Sequence, residues 1–176
     1  MLPDAGGGVD FNWSPDGSSL FFDNGLEYPT IQIRLLDLKS RQVSVFPGSN
    51  GLFSPRISPD GRYLAALTQD SSTLMLYDFH SQKWSKWLWE RGNISYPTWS
   101  RDSNFLYFDN FLTDQPTCRR VRVGEPHSEG LFSIADLNRH TGSFTGTWGG
   151  LAPDGSRLYV QDLSVQEIYS LKVRLP

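Results

Sequence analysis

Trp13-Ser14-Pro15-Asp16-Gly17 begins a pattern that runs through the whole chain. Its core, Ser14-Pro15-Asp16-Gly17, returns as Ser58-Pro59-Asp60-Gly61, then eroded as Ser100-Arg101-Asp102-Ser103, and again as Ala152-Pro153-Asp154-Gly155. Each copy follows an apolar residue (Trp13, Ile57, Trp99, Leu151) and precedes a short apolar run. The copies start 44, 42 and 52 residues apart. A strand-rich repeat of roughly 45 residues predicts stacked four-stranded units, and so a β-propeller or part of one.

Proline presets φ at the first corner of such a turn, and the aspartate bonds back to its own backbone. Glycine takes the left-handed position that closes the hairpin. In the eroded copy Ser103 must take that position, or the turn changes type, at a cost of about 1 kcal/mol. Working outward from the first turn, Val9 to Trp13, Ser19 to Asp23, Ile31 to Asp37 and Gln42 to Phe46 form four strands. The second unit gives Phe53 to Ile57, Tyr63 to Leu67, Thr73 to Phe79 and Trp84 to Trp89. The third gives Ser95 to Trp99, Phe105 to Phe108, Thr117 to Val123 and Leu131 to Ala135. The fourth gives Thr145 to Leu151, Leu158 to Gln161 and Glu167 to Val173, with no fourth strand. The longer last step places a loop-like insertion around residues 138–147.

No segment carries a 3.6-residue apolar period, so the expectation is all-β, an up-and-down meander of antiparallel sheets. Such sheets have two apolar faces and must stack on one another. The units fall at 9–50, 51–94, 95–143 and 144–176 of a single propeller-like domain, after a flexible segment 1–8 containing Pro3 and Gly6-Gly7-Gly8.

Sixteen Lys and Arg against nineteen Asp and Glu leave a formal charge of -3, which argues against direct nucleic-acid binding. Arg119, Arg120 and Arg122 make one small basic cluster, read as a solvated strand face. No apolar run is long enough to span a membrane. Residues 1–8 lack the features of a signal peptide, so cytoplasm and periplasm both stay open. Cys118 is the single cysteine, so no intrachain disulfide forms.

Trp-Ser-Pro-Asp-Gly-x-x-Leu-Phe-Phe at residues 13–22 and Ile-Ser-Pro-Asp-Gly-Arg-Tyr-Leu-Ala-Ala at 57–66 resemble the WD40-like β-propeller repeat of the TolB type. The resemblance runs from about residue 9 to 173. The tail, through Gln166-Glu167-Ile168-Tyr169-Ser170-Leu171, is similar to the last repeat of bacterial propeller proteins. It implies a partner platform, a sensory domain of a membrane-linked transcriptional regulator, or a hydrolase or hydrolase accessory domain. Those propellers usually close with more than four blades, which implies a C-terminal part or a shortened homologue. Such a chain would pair with a second copy or with missing blades.

No zinc-protease motif, phosphate loop or nucleophile elbow occurs, and His80, His127 and His140 have no metal-ligand spacing. No cofactor or metal is expected, and Cys118 has no histidine beside it to make it a nucleophile. The second strands end in Asp23-Asn24, Asp70-Ser71, Asp109-Asn110 and Asp162, with Glu27, Tyr28 and Asp114 nearby. These residues either terminate strands in Asx turns or form an acidic rim for a basic peptide or cation. Trp87 and Trp89 share one side of their strand beside Trp84, as packing against the next unit or as an interface. The expected function is a non-catalytic scaffold that binds a protein or peptide.

Overall fold

The computed structural model describes residues 10–25, 31–137, 141–142, 146–147 and 149–160. Segment 1–8, Glu27, Tyr28, His140, Asp162 and the strand expected at 167–173 lie outside the described residues.

The first sheet holds β1 (Phe11–Trp13), β2 (Ser19–Asp23), β3 (Ile33–Asp37) and β4 (Val43–Val45) in sequence order. The second holds β5 (Leu52–Ile57), β6 (Tyr63–Thr68), β7 (Thr73–Asp78) and β8 (Lys83–Trp89). The third holds β9 (Ile94–Trp99), β10 (Phe105–Asn110), β11 (Thr117–Arg122) and β12 (Ser128–Ser133). Two hairpins follow, β13 (Thr141–Gly142) with β14 (Gly146–Thr147), and β15 (Gly149–Leu151) with β16 (Arg157–Tyr159). Every pairing is antiparallel. The first strands lie against one another, β1 on β5, β5 on β9 and β9 on β15. The sheets therefore fan outward from their first strands, an all-β, open, propeller-like stack.

The repeated turn earns its repetition through one hydrogen-bond set. Ser58 Oγ donates to Asp60 Oδ1 at 2.5 Å, and that carboxylate accepts the Arg62 N–H at 3.0 Å. The Ser58 Oγ also accepts the Tyr63 N–H at 2.9 Å, which locks the strand register. Ser14 and Ser100 repeat these contacts, and Ser103 sits at φ 61° where the other copies have glycine. Ala152 has no hydroxyl to give. Its N–H goes to Ser156 O, whereas Ser58 N reaches the carbonyl one residue further on, at Tyr63. The β15–β16 hairpin is one residue tighter, and a one-residue slip turns every side chain of β16 over.

The second sheet shows why both faces must be apolar. Along β6, Leu64 and Ala66 face the first sheet, where they join Phe21, Ile33, Phe46 and Tyr77. Ala65 and Leu67 face the third sheet, with Leu74, Trp99, Leu106 and Phe108. Each fully buried Leu or Phe contributes about 1.5–3 kcal/mol, so the stack is held mainly by these two interfaces. Aromatics fill the outer end of the first, where Phe46 meets Tyr77 edge-on at 4.9 Å.

Two expectations are corrected in detail. A short hairpin, β13–β14, stands where residues 138–147 read as loop. The outer strand of the third unit begins at Ser128 rather than Leu131, because Glu129 and Gly130 pair with Arg120 and Arg119 despite their polar pattern.

Candidate functional site

The β6–β7 connection is a tight turn, but β10 and β11 are separated by residues 111–116, which stand clear of the sheet. This loop and the end of β8 enclose a cleft of about 460 Å³ at the seam between the second and third sheets. Its floor is Asn110, which is buried at the end of β10 and donates from Nδ2 to Arg91 O at 2.9 Å. Gly92, at φ +95°, lets the two loops close together. A Cβ there would lie 2.6 Å from Asn110 Oδ1 and 2.9 Å from Leu112 O.

One wall is charged. Glu90 accepts from the Ser128 hydroxyl and stands 3.4 Å from Arg119 Nε. Arg91, Thr113, Asp114 and Gln115 also line the cleft. Leu112 also lines the cleft and is 62% exposed, while Trp89, one residue before Glu90, is 58% exposed. The cleft therefore offers paired opposite charges, amide and hydroxyl groups and an apolar side chain. That combination suits an extended peptide with mixed side chains. Among the described residues, no group of three or more His, Cys, Asp or Glu converges as a metal site would require.

The residues singled out in the sequence scatter. Asp23 and Asn24 are buried at the seam between the first two sheets. Asp23 accepts the N–H groups of Gly25 at 3.0 Å and Ser54 at 3.3 Å, and burial pushes its carboxyl above the usual range. Asp70 closes the β6–β7 turn with the same contacts as the repeated turn, accepting from Thr68 Oγ1 at 2.6 Å and Ser72 N at 3.1 Å. Asp109 is wholly buried under the last hairpin, where it accepts from Arg157 Nη2 at 2.9 Å and Tyr159 OH at 3.1 Å. So these carboxylates stand in seams and turns rather than along one open rim. Asn110 and Asp114 are brought together at the cleft.

Trp87 and Trp89 separate. A β-bulge sets Leu88 opposite Leu74 and Lys86 opposite Met75, leaving Trp87 as the extra residue. Trp87 is buried, stacks on Trp99 at 5.7 Å and donates its indole N–H to Glu125 O at 2.9 Å. Of the basic cluster, Arg119 turns to Glu90, whereas Arg120 turns to the other face, over the Phe105 ring and against Glu129. Cys118 is buried, and burial raises its thiol pKa. Sequence reading missed Glu90, Leu112 and Gln115 as site residues. The available signal was the length of segment 111–116 against the four-residue connection 69–72 of the second unit.

No family model matches the chain, and no curated protein matches it. Solved structures do. A putative TolB from Agrobacterium tumefaciens is 22% identical with a TM-score of 0.64, over 85% of this chain and 52% of that one. TolB from Acinetobacter baumannii is 19% identical with a TM-score of 0.66, over 90% of this chain and 39% of that one. Hydrazine synthase from Kuenenia stuttgartiensis is 18% identical with a TM-score of 0.68, over 92% and 44%. The chain thus spans about half or less of the length of each. At these identities the likeness is one of fold alone, that of an open, propeller-like all-β stack.

Proposed function

We propose that the chain is a non-catalytic protein-interaction module whose contact surface is the cleft between the second and third sheets. The observation that carries this reading is the mixed polar and apolar cleft, whose base is tied by the Asn110–Arg91 hydrogen bond and which is flanked by exposed Leu112. A hydrolase reading needs two facing acids, one of them with a raised pKa, in a shared pocket. Asp23, whose carboxyl is raised, is instead committed to two backbone N–H groups in a sheet seam.

The test is selection of displayed random peptides on the immobilised chain, followed by titration of the enriched peptides. The Leu112→Asp and Gln115→Ala variants should weaken binding at least tenfold while leaving the far-UV spectrum unchanged. A selection that enriches nothing, or peptides that bind both variants as tightly as wild type, would end this reading.

A further inference from the structure

Three contacts orient Arg119, which lines the cleft from β11 and pairs with Gly130 of β12. Its Nε donates to Ser128 Oγ at 2.7 Å and its Nη2 to Ser128 O at 3.3 Å, so one edge of the guanidinium is fastened to β12. The Ser128 hydroxyl in turn donates to Glu90, whose carboxylate stands 3.4 Å from the same Nε. No hydrogen bond or ion pair among the described residues uses Nη1. A Cβ at position 130 would lie 3.6 Å from Nη1, so glycine there leaves open an approach that another side chain would cover.

A guanidinium carries its five N–H donors in a flat, rigid fork. With the Nε edge engaged, the outer Nη1–Nη2 edge keeps the spacing that takes both oxygens of a carboxylate. The other charges of the cleft are less well placed to read a ligand. Glu90 is the more enclosed member of its pair, 15% exposed against 28% for Arg119, and its Oε1 is already shared between Ser128 and Arg119. Arg91 and Asp114 are exposed, carry opposite charges, and have no side-chain hydrogen bond among the described residues to fix them. Exposed, unfixed charges of that kind contribute little.

We propose that the peptide bound in this cleft presents a carboxylate, from an Asp or Glu side chain or from its own C-terminus, to the outer edge of Arg119. The inference rests on the peptide reading of the cleft and adds the chemistry by which the partner is chosen. A lysine or arginine at the same place would meet Nη1 as a like charge, so the residue that selects acidic peptides also rejects basic ones.

Synthetic random peptides with Asp, Asn or Lys fixed at the centre, each made with a free and with an amidated C-terminus, test it. Binding should be weakened about tenfold by the change from Asp to Asn if a side chain supplies the carboxylate, or by amidation if the C-terminus does. Arg119→Gln should weaken the same peptides about tenfold, whereas Glu90→Gln should tighten them about threefold by removing the competing negative charge. A merely structural role for the Glu90–Arg119 pair would weaken binding in both variants, and that result overturns the proposal. Gly130→Val leaves Arg119 in place and fills the approach to Nη1, so it too should weaken acidic peptides. It carries the test if Arg119→Gln loses its far-UV spectrum. Peptides that bind regardless of both Asp and the free C-terminus, yet are lost with Leu112→Asp, overturn the carboxylate inference and leave the cleft reading standing. No binding peptide in any set overturns both.

Discussion

Asp16 accepts hydrogen bonds from the Ser14 hydroxyl at 2.6 Å and from the Ser18 N–H at 3.0 Å, and these hold its carboxyl down at a pKa of about 2. Asp102 is held at about 2 in the same way, by Ser100 first and then Asn104. A carboxyl lowered by folding adds stability at pH values above its unfolded pKa of 3.8, and that stability is lost as pH falls toward 2. Asp23 acts in the opposite sense, since burial raises its pKa and its protonation favours the fold. The turn aspartates outnumber it, so the urea midpoint should drop steeply between about pH 4 and pH 2. The Asp16→Asn, Asp102→Asn double variant should start lower at neutral pH and fall less over that range; parallel curves would show the turns carry no such linkage. Gly92→Val should cost about 2–3 kcal/mol, through its positive φ and the collision with Asn110 and Leu112 O, read as a lower urea midpoint. At this scale the sequence was most informative about the turns. Proline, aspartate and glycine act locally, so the sequence narrowed Ser103 to the left-handed position or a change of turn type, and it takes the left-handed position at φ 61°.

Strand edges were also legible, because β2 ends at Asp23 and β8 at Trp89 where apolar alternation stops. The direction of side chains was not, wherever a bulge or slip intervened. One extra residue in β8 separates Trp87 from Trp89, and the missing hydroxyl of Ala152 reverses β16. Neither change alters the apolar content that sequence reading depends on. Reversal puts Arg157, 4% exposed, against the fully buried Asp109. Removing one partner of such a pair strands the other charge, so Asp109→Ala should lower stability by about 3–5 kcal/mol. Cys118 lies directly across from Asp109 in β11 and reports on the same seam. In the wild type its buried thiol, with its raised pKa, should react with an aromatic disulfide reagent only as fast as the seam opens. The Asp109→Ala chain should label much faster in native buffer, and equal rates would place the weak point elsewhere.

Among the described residues the two apolar cores each join one sheet to the next, so the stack behaves as a short row of units. The repeat period revealed that architecture, because any sheet with two apolar faces has to be sandwiched. The cleft was hidden for the complementary reason. It forms where the end of β8 meets the 111–116 loop, and that meeting depends on how two sheets are offset rather than on any local pattern. Trp99 is the residue on which the second interface turns, since it bridges Trp87, Tyr63 and the Arg56 carbonyl. Trp99→Ala should cost about 3–5 kcal/mol through lost burial and the cavity left behind. In a nearest-neighbour stack that loss is felt unevenly. Amide exchange should accelerate in β9, β10 and β11 while β2, β6 and β7 keep most of their protection, because the core around Phe21, Phe46, Leu64 and Tyr77 does not involve Trp99. A uniform rise in exchange across all three sheets would instead mean that they unfold as one cooperative block, and that the interfaces are strong enough to couple the first sheet to the third.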